Sequence, residues 1–325
     1  MLSNRILAFA GIPLALIVAG LIVSIPAAAQ TPAANKTPGA SKATAAKRWR
    51  TPWGDPDLQG SWLNTAVTPL ERPAKFQGRE FMTPQERAEA EAKRAEGEKG
   101  SFYDPSYLDG RTSLIYDTPD GRMPPLTPEG QKRKTAWHES QRRDPPGPFN
   151  GPEDLNLRTR CIIRDPLPRV PANYVNGFDL VQTPGFVAIT MEAIHDTRVI
   201  PLNGGPHLEQ GVRQWYGDPR GHWEGDTLVV ETTNFNDRTR FENSTQNMRL
   251  VERWTRIADD RIDYRFTVSD PATWTKPWSA SIPWNKSGPI FEYACHEDNI
   301  DLYAFLSVAR FNDRKAAEAA KKGTK

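Results

Sequence analysis

Proline and glycine interrupt this chain too often for long helices to dominate it. There are 29 prolines and 23 glycines, 52 of the 325 residues. Proline removes a helical N–H and clashes with the preceding turn, and glycine adds backbone entropy that any regular element must overcome. Strands and loops must therefore carry the fold, and the second half of the chain has the matching texture. In residues 261–269, Ile262, Tyr264, Phe266 and Val268 alternate with Arg261, Asp263, Arg265 and Thr267, as in a strand with one buried and one wet face. Residues 249–257 precede it through Ala258-Asp259-Asp260, a hairpin turn. Trp278, Ala280, Ile282 and Trp284 share one face of a further strand. Residues 178–183, 186–192, 197–202 and 227–235 bring the run to about seven strands with short connections. Sequential hairpins predict a mainly β body over 173–312, an antiparallel meander closed as a barrel or folded as a sandwich.

The region 51–172 reads as a long N-terminal arm with two peripheral helices packed on that body. Thr83, Pro84 and Glu86 form a capping box with proline in the first helical position, and Gly97 is the expected stop. The residues between are nearly all Ala, Glu, Arg and Lys, so the helix must be solvent-exposed. Thr127-Pro128-Glu129 opens a second helix, to about Ser140. Leu302, Phe305, Leu306 and Ala309 fall at helical spacing, which predicts a short amphipathic helix over 300–309. Segments 30–50 and 313–325 have too little apolar content to order and read as linker and tail.

The N-terminus carries a targeting signal. Arg5 precedes an apolar run over 6–25, closed by Pro26 and the small residues Ala27-Ala28-Ala29. Cleavage after Ala29 would release a soluble periplasmic or secreted protein with no remaining stretch apolar enough to span a membrane. In an oxidising compartment the two cysteines, Cys161 and Cys295, default to one disulfide. The net charge of +2 conceals an uneven distribution: 30–50 carries +5 and 313–325 carries +3, which leaves the body acidic. An acidic body excludes nucleic acid as a partner, because displacing counterions from phosphates needs basic side chains on the folded surface.

Three runs resemble a family of exported, β-rich proteins common in soil bacteria. They are the residues Ile194-His195-Asp196-Thr197-Arg198-Val199-Ile200-Pro201-Leu202, Gly217-Asp218-Pro219-Arg220-Gly221-His222-Trp223-Glu224-Gly225-Asp226 and Tyr293-Ala294-Cys295-His296-Glu297. The resemblance implies export and a β-rich body, and it transfers no catalytic role. The entry into a meander is also similar to lipocalin-like barrels, an analogy at the level of fold.

Chemistry-bearing residues are few. No Gly-x-Ser-x-Gly elbow, dinucleotide fingerprint, phosphate loop or helical His-Glu-x-x-His occurs. No cofactor or metal is therefore expected, although three histidines and a carboxylate would suit zinc or copper. His195, His207 and His296, with Glu297, are the candidates for general acid–base work. Arg198 is the expected anion clamp, and Arg213, Arg220, His222 and Trp223 are the expected substrate contacts. The alternative for His195 is a strand-end residue bonded to backbone, and for His222 a turn residue. Trp215, Trp223, Trp254, Trp274, Trp278 and Trp284 read mostly as core, with one or two as a stacking platform for a small-molecule ligand. The expected function is an exported hydrolase or lyase acting on a small sugar derivative or plant aromatic. In that reading at least two of the three imidazoles meet in one pocket with Arg198 or Glu297. The alternative is a non-catalytic, lipocalin-like binding protein for an apolar or aromatic ligand.

Overall fold

A computed structural model describes residues 49–99, 106–141, 149–172 and 174–323. The expected signal segment 1–29, and the expected linker as far as residue 48, lie outside the described residues.

Nine strands form one antiparallel sheet: β1 (Gly60–Leu63), β2 (Gly177–Thr183), β3 (Phe186–Met191), β4 (Thr197–Pro201), β5 (Asp218–Glu224), β6 (Thr227–Thr233), β7 (Arg249–Ala258), β8 (Arg261–Ser269) and β9 (Trp278–Lys286). Their order is β4-β3-β2-β1-β9-β8-β7-β6-β5. The meander curls into a nearly closed barrel. The first and last strands of the chain are neighbours, with Trp62 opposite Lys286, and the two sheet edges, β4 and β5, meet mid-chain without a hydrogen-bonded ladder. Side chains fill this seam. A Cβ on Gly221 of β5 would lie 2.9 Å from Ile200 Cγ2 and from Leu202 Cδ2, so glycine is what lets the edges approach.

The period-2 pattern of the strands sorts the side chains. Leu250, Glu252 and Trp254 of β7, and Ile262, Tyr264, Phe266 and Val268 of β8, point inward and are buried. Aromatic rings occupy the interior. Phe178 stacks on Trp284 with centroids 4.3 Å apart, Tyr264 contacts Trp254 at 5.0 Å and Trp284 at 5.1 Å, and Trp278 meets Trp274 at 5.7 Å. Such pairs contribute about 0.5–1.5 kcal/mol each beyond their burial. The barrel is therefore packed rather than hollow. In its central void the centre of a water-sized occupant has about 10 Å³ to move in, room for one atom-sized guest, and an apolar ligand carried there, as in a lipocalin, finds no space.

Two strands were not anticipated. β1 lies in the arm, which is consequently part of the sheet rather than packed outside it. Its four residues are too few to show alternation, yet Trp62 is fully buried. β5 contains Pro219 and Gly221, both poor strand formers. An edge strand tolerates both, because its outer N–H groups need no ladder partner. The arm also covers β9 where short β1 does not reach: Ser281 N–H donates to Leu114 O at 3.0 Å and Tyr116 N–H to Ser279 O at 3.3 Å. Leu114 and Ile115 are buried there.

Three α-helices among the described residues are peripheral. Helix α1 (Pro84–Glu98) has the expected capping box, with Glu86 N–H donating to Thr83 Oγ1 at 3.2 Å and Thr83 N–H to Glu86 Oε2 at 2.8 Å. It buries no residue and passes Gly97, because Arg94 pairs with Glu98 at 2.6 Å and holds the last turn. Helix α2 is Pro128–Gln141. Helix α3 is Asp301–Gly323, so the segment expected as a disordered tail is helical up to Gly323. Its Ala, Lys, Arg and Glu residues have high helix propensity, which outweighs their lack of apolar content. No helix among the described residues is long and apolar enough to cross a membrane. Cys161 and Cys295 are disulfide-bonded, with sulfurs 2.09 Å and Cα atoms 5.7 Å apart, a pairing compatible with an extracellular location.

Candidate functional site

The seam leaves a cleft of about 450 Å³ on the outside of the barrel. One wall is Thr197, Arg198 and Val199 of β4, and the other is the loop Arg213-Gln214-Trp215-Tyr216-Gly217 that leads into β5, with Asn236 from beyond β6. The loop is fixed by backbone bonds, Gln214 N–H to Asn234 O at 3.0 Å and Asn236 N–H to Gln214 O at 2.8 Å. Gly217 closes its turn at φ +69°, where a Cβ would stand 2.5 Å from Thr233 O. Arg213 donates to Gln246 O at 2.6 Å and to Asn247 Oδ1 at 3.3 Å, which holds its guanidinium at the cleft. Trp215 is 37% exposed. Among the described residues the Trp215 indole N–H, the Gln214 side-chain amide and Asn236 Nδ2 make no hydrogen bond, so three polar groups beside an aromatic face are uncommitted.

Beneath the cleft, charge enters the barrel. Arg198 reaches inward and pairs with Glu252 at 2.7 Å, their side chains 4% and 1% exposed. Arg198 also donates to Thr232 Oγ1 at 3.2 Å, and Tyr264 OH donates to Glu252 Oε1 at 2.9 Å. Burial pushes the Tyr264 phenol well up from its ordinary value, so it stays a donor. Arg198 thus lines the cleft, as the sequence suggested, but its two Nη atoms are already bound to Glu252 and Thr232.

Next to it, the β3–β4 turn is strained. Ile194 and His195 both have left-handed backbones, at φ +65° and +54°. Neighbouring segments brace the turn. Glu192 accepts from Gly177 N–H at 3.0 Å and Phe291 N–H at 3.2 Å, and Tyr216 OH donates to Asp196 Oδ2 at 2.9 Å. Burial raises the Asp196 carboxyl above its ordinary range, against the lowering effects of Tyr216 and Arg169. His195 lies before β4 rather than in it. It is exposed, and its Nδ1 accepts Tyr293 N–H at 3.4 Å, the backbone-bonded arrangement.

The other nominated residues lie elsewhere. His207 Nδ1 is 3.0 Å from Asp218 Oδ2 and its Nε2 is 3.7 Å from Glu231 Oε1. Asp218 also binds Arg220 at 2.5 Å, and Glu231 binds Arg249. His222 Nε2 is 3.1 Å from Glu224, which pairs with Arg253 at 2.6 Å. Together these pairs make a ladder of charges on the outer wall of β5–β7, and Arg220 and His222 do not line the seam cleft. Trp223 turns inward against the core and is not a surface platform. His296 and Glu297 are exposed in the turn after Cys295. His195, His207 and His296 share no partner, and none of them lines the cleft that holds Arg198 and Arg213. The expected meeting of imidazoles with Arg198 therefore does not occur there. The reason is the left-handed turn at His195 and the placing of the His207 loop beyond β5. The sequence reading missed Gln214, Tyr216, Asn236 and Asp196. For Gln214 and Tyr216 the signal was the density of polar and aromatic residues in 213–217; Asp196 and Asn236 had none.

Among the described residues no group of three or more His, Cys, Asp or Glu side chains is placed to hold a metal ion. No family model, curated protein or solved structure matches the chain.

Proposed function

We propose that the protein is an exported, periplasmic or secreted, binding protein that holds a small ring-shaped acid, best fitted by a sugar acid, in the seam cleft. The observation that supports this reading is the combination in one cleft of an exposed indole face, the Arg213 guanidinium, and uncommitted donors on Trp215, Gln214 and Asn236. A ring face stacks on Trp215, hydroxyls pair with the amides, and a carboxylate meets Arg213 in a charge-assisted bond. The volume is within the range of small-molecule sites. Titration calorimetry against a uronic acid, its neutral parent sugar and an aromatic acid tests the reading. The acidic sugar should bind best, and Arg213→Ala should weaken it about 10- to 100-fold while hardly changing the neutral sugar. Equal affinity for acidic and neutral sugars, or no binding of any of the three, would overturn it.

A second reading, the hydrolase or lyase, is favoured by one pair. Buried Asp218 holds His207 Nδ1 and leaves Nε2 toward Glu231, the orientation of a general base. It predicts turnover that His207→Ala abolishes, in a screen against glycosides and aryl esters.

A further inference from the structure

We propose that the barrel interior holds one monatomic anion, a halide of chloride's size, between Arg169, Arg198 and the indoles of Trp254 and Trp284. All four side chains line the central void of about 10 Å³. Arg198 Nε, Trp254 Nε1 and Trp284 Nε1 are buried donors with no partner among the described residues. Arg169 is 3% exposed. It forms a long ion pair with Asp165 Oδ2 at 3.6 Å, and its hydrogen-bond partner among the described residues is the weak acceptor Met191 Sδ at 3.9 Å. Three unpartnered donors and one loosely held guanidinium thus surround a single void.

Among the described residues the three unpartnered donors find no acceptor. The carboxylate lining the void, Glu252, already receives Arg198 Nη1 at 3.1 Å, Arg198 Nη2 at 2.7 Å and Tyr264 OH at 2.9 Å. Arg198 is balanced by Glu252, whereas Arg169 shares Asp165 with Arg158 and Arg164, so its buried charge is only partly countered. A water molecule offers two lone pairs and must itself place two hydrogens. A halide accepts from every side and donates nothing, so it matches a wall of donors. The size of the void excludes sulfate, phosphate and carboxylates, so this site is distinct from the seam cleft and does not depend on what the cleft binds. Arg198 borders both spaces, so the ion site lies directly beneath the seam cleft.

The experiment is thermal unfolding of the full protein, prepared without chloride, in sodium chloride, sodium bromide and sodium methanesulfonate at equal ionic strength. Tm should rise with the logarithm of chloride or bromide concentration and stay flat in methanesulfonate. Trp284→Phe keeps the ring and deletes one N–H. It should raise the chloride concentration needed for half the effect about tenfold or more. Crystals of the unsubstituted protein soaked in bromide should show an anomalous peak at hydrogen-bonding distance from Arg198 Nε, which decides the matter if the variant does not fold. Equal Tm in halide and methanesulfonate, or an ordered water in the void without anomalous signal, would overturn the proposal.

Discussion

Arg198 and Glu252 bind each other inside a packed barrel, and the two side chains depend on each other. Taking either charge out of water is costly, and only the partner with its flanking hydroxyls, Thr232 and Tyr264, offsets that cost. Glu252→Gln would leave a buried guanidinium uncompensated. We expect a loss of about 3–5 kcal/mol, read as a clear fall in the urea midpoint; a midpoint within error of the parent would show that the pair is solvated. Asp196 behaves oppositely. Its folded carboxyl titrates above the ordinary value, because burial disfavours the charged form. The stability it contributes is therefore full below the unfolded value, about pH 4, and is lost as pH rises through the folded value. Asp196→Asn keeps an acceptor for Tyr216 without the charge. The variant should be as stable as the parent near pH 3 and more stable near pH 7. A Tm difference that is constant across that range would contradict this account.

At the scale of elements, the meeting of β4 and β5 depends on backbone positions as much as on apolar side chains. Gly217 and Gly225 both have positive φ, at +69° and +62°, but a Cβ at Gly225 meets nothing within 4 Å whereas one at Gly217 meets Thr233 O. Gly225→Ala should cost about 1 kcal/mol, the price of the left-handed backbone alone. Gly217→Ala should cost about 2–3 kcal/mol, because strand β6 must also shift. Equal losses in chemical denaturation would mean that the seam gives way easily. The same contrast explains what the sequence made legible. Strands β7, β8 and β9 were readable because tertiary packing agrees with their local alternation, and α1 because its capping box is local. β1 is too short to show a period, and β5 carries Pro219 and Gly221, whose local preference is overridden by its place at an edge. The site was legible as residue types, Arg198 and Arg213, and not as a constellation. Left-handed Ile194 and His195 invert the facing that strand alternation predicts, and nothing in the sequence marks them.

At the scale of the whole molecule, the disulfide joins residues 134 apart and so spans every strand from β2 to β9. Chain entropy assigns such a cross-link roughly 4–5 kcal/mol. Replacing both cysteines by serine should lower Tm by several degrees and expose 296–323 to faster proteolysis, since α3 buries none of its described residues. An unchanged proteolysis rate would show that α3 is held by packing alone. The seam carries a further consequence. The sheet's hydrogen bonds run without a break from β4 back to β1, across to β9, and on to β5, so the chain's two ends are zipped together and its middle is not. The loop crossing the gap includes Gly204, Gly205 and Gly211, around which there is open space. Severing the peptide between Gly204 and Gly205 would cut no strand ladder, and the two fragments would share the β1–β9 ladder and the aromatic core. Expressed as separate polypeptides, they should reassemble into a native barrel, which makes this molecule a self-complementing pair already joined by a dispensable tether.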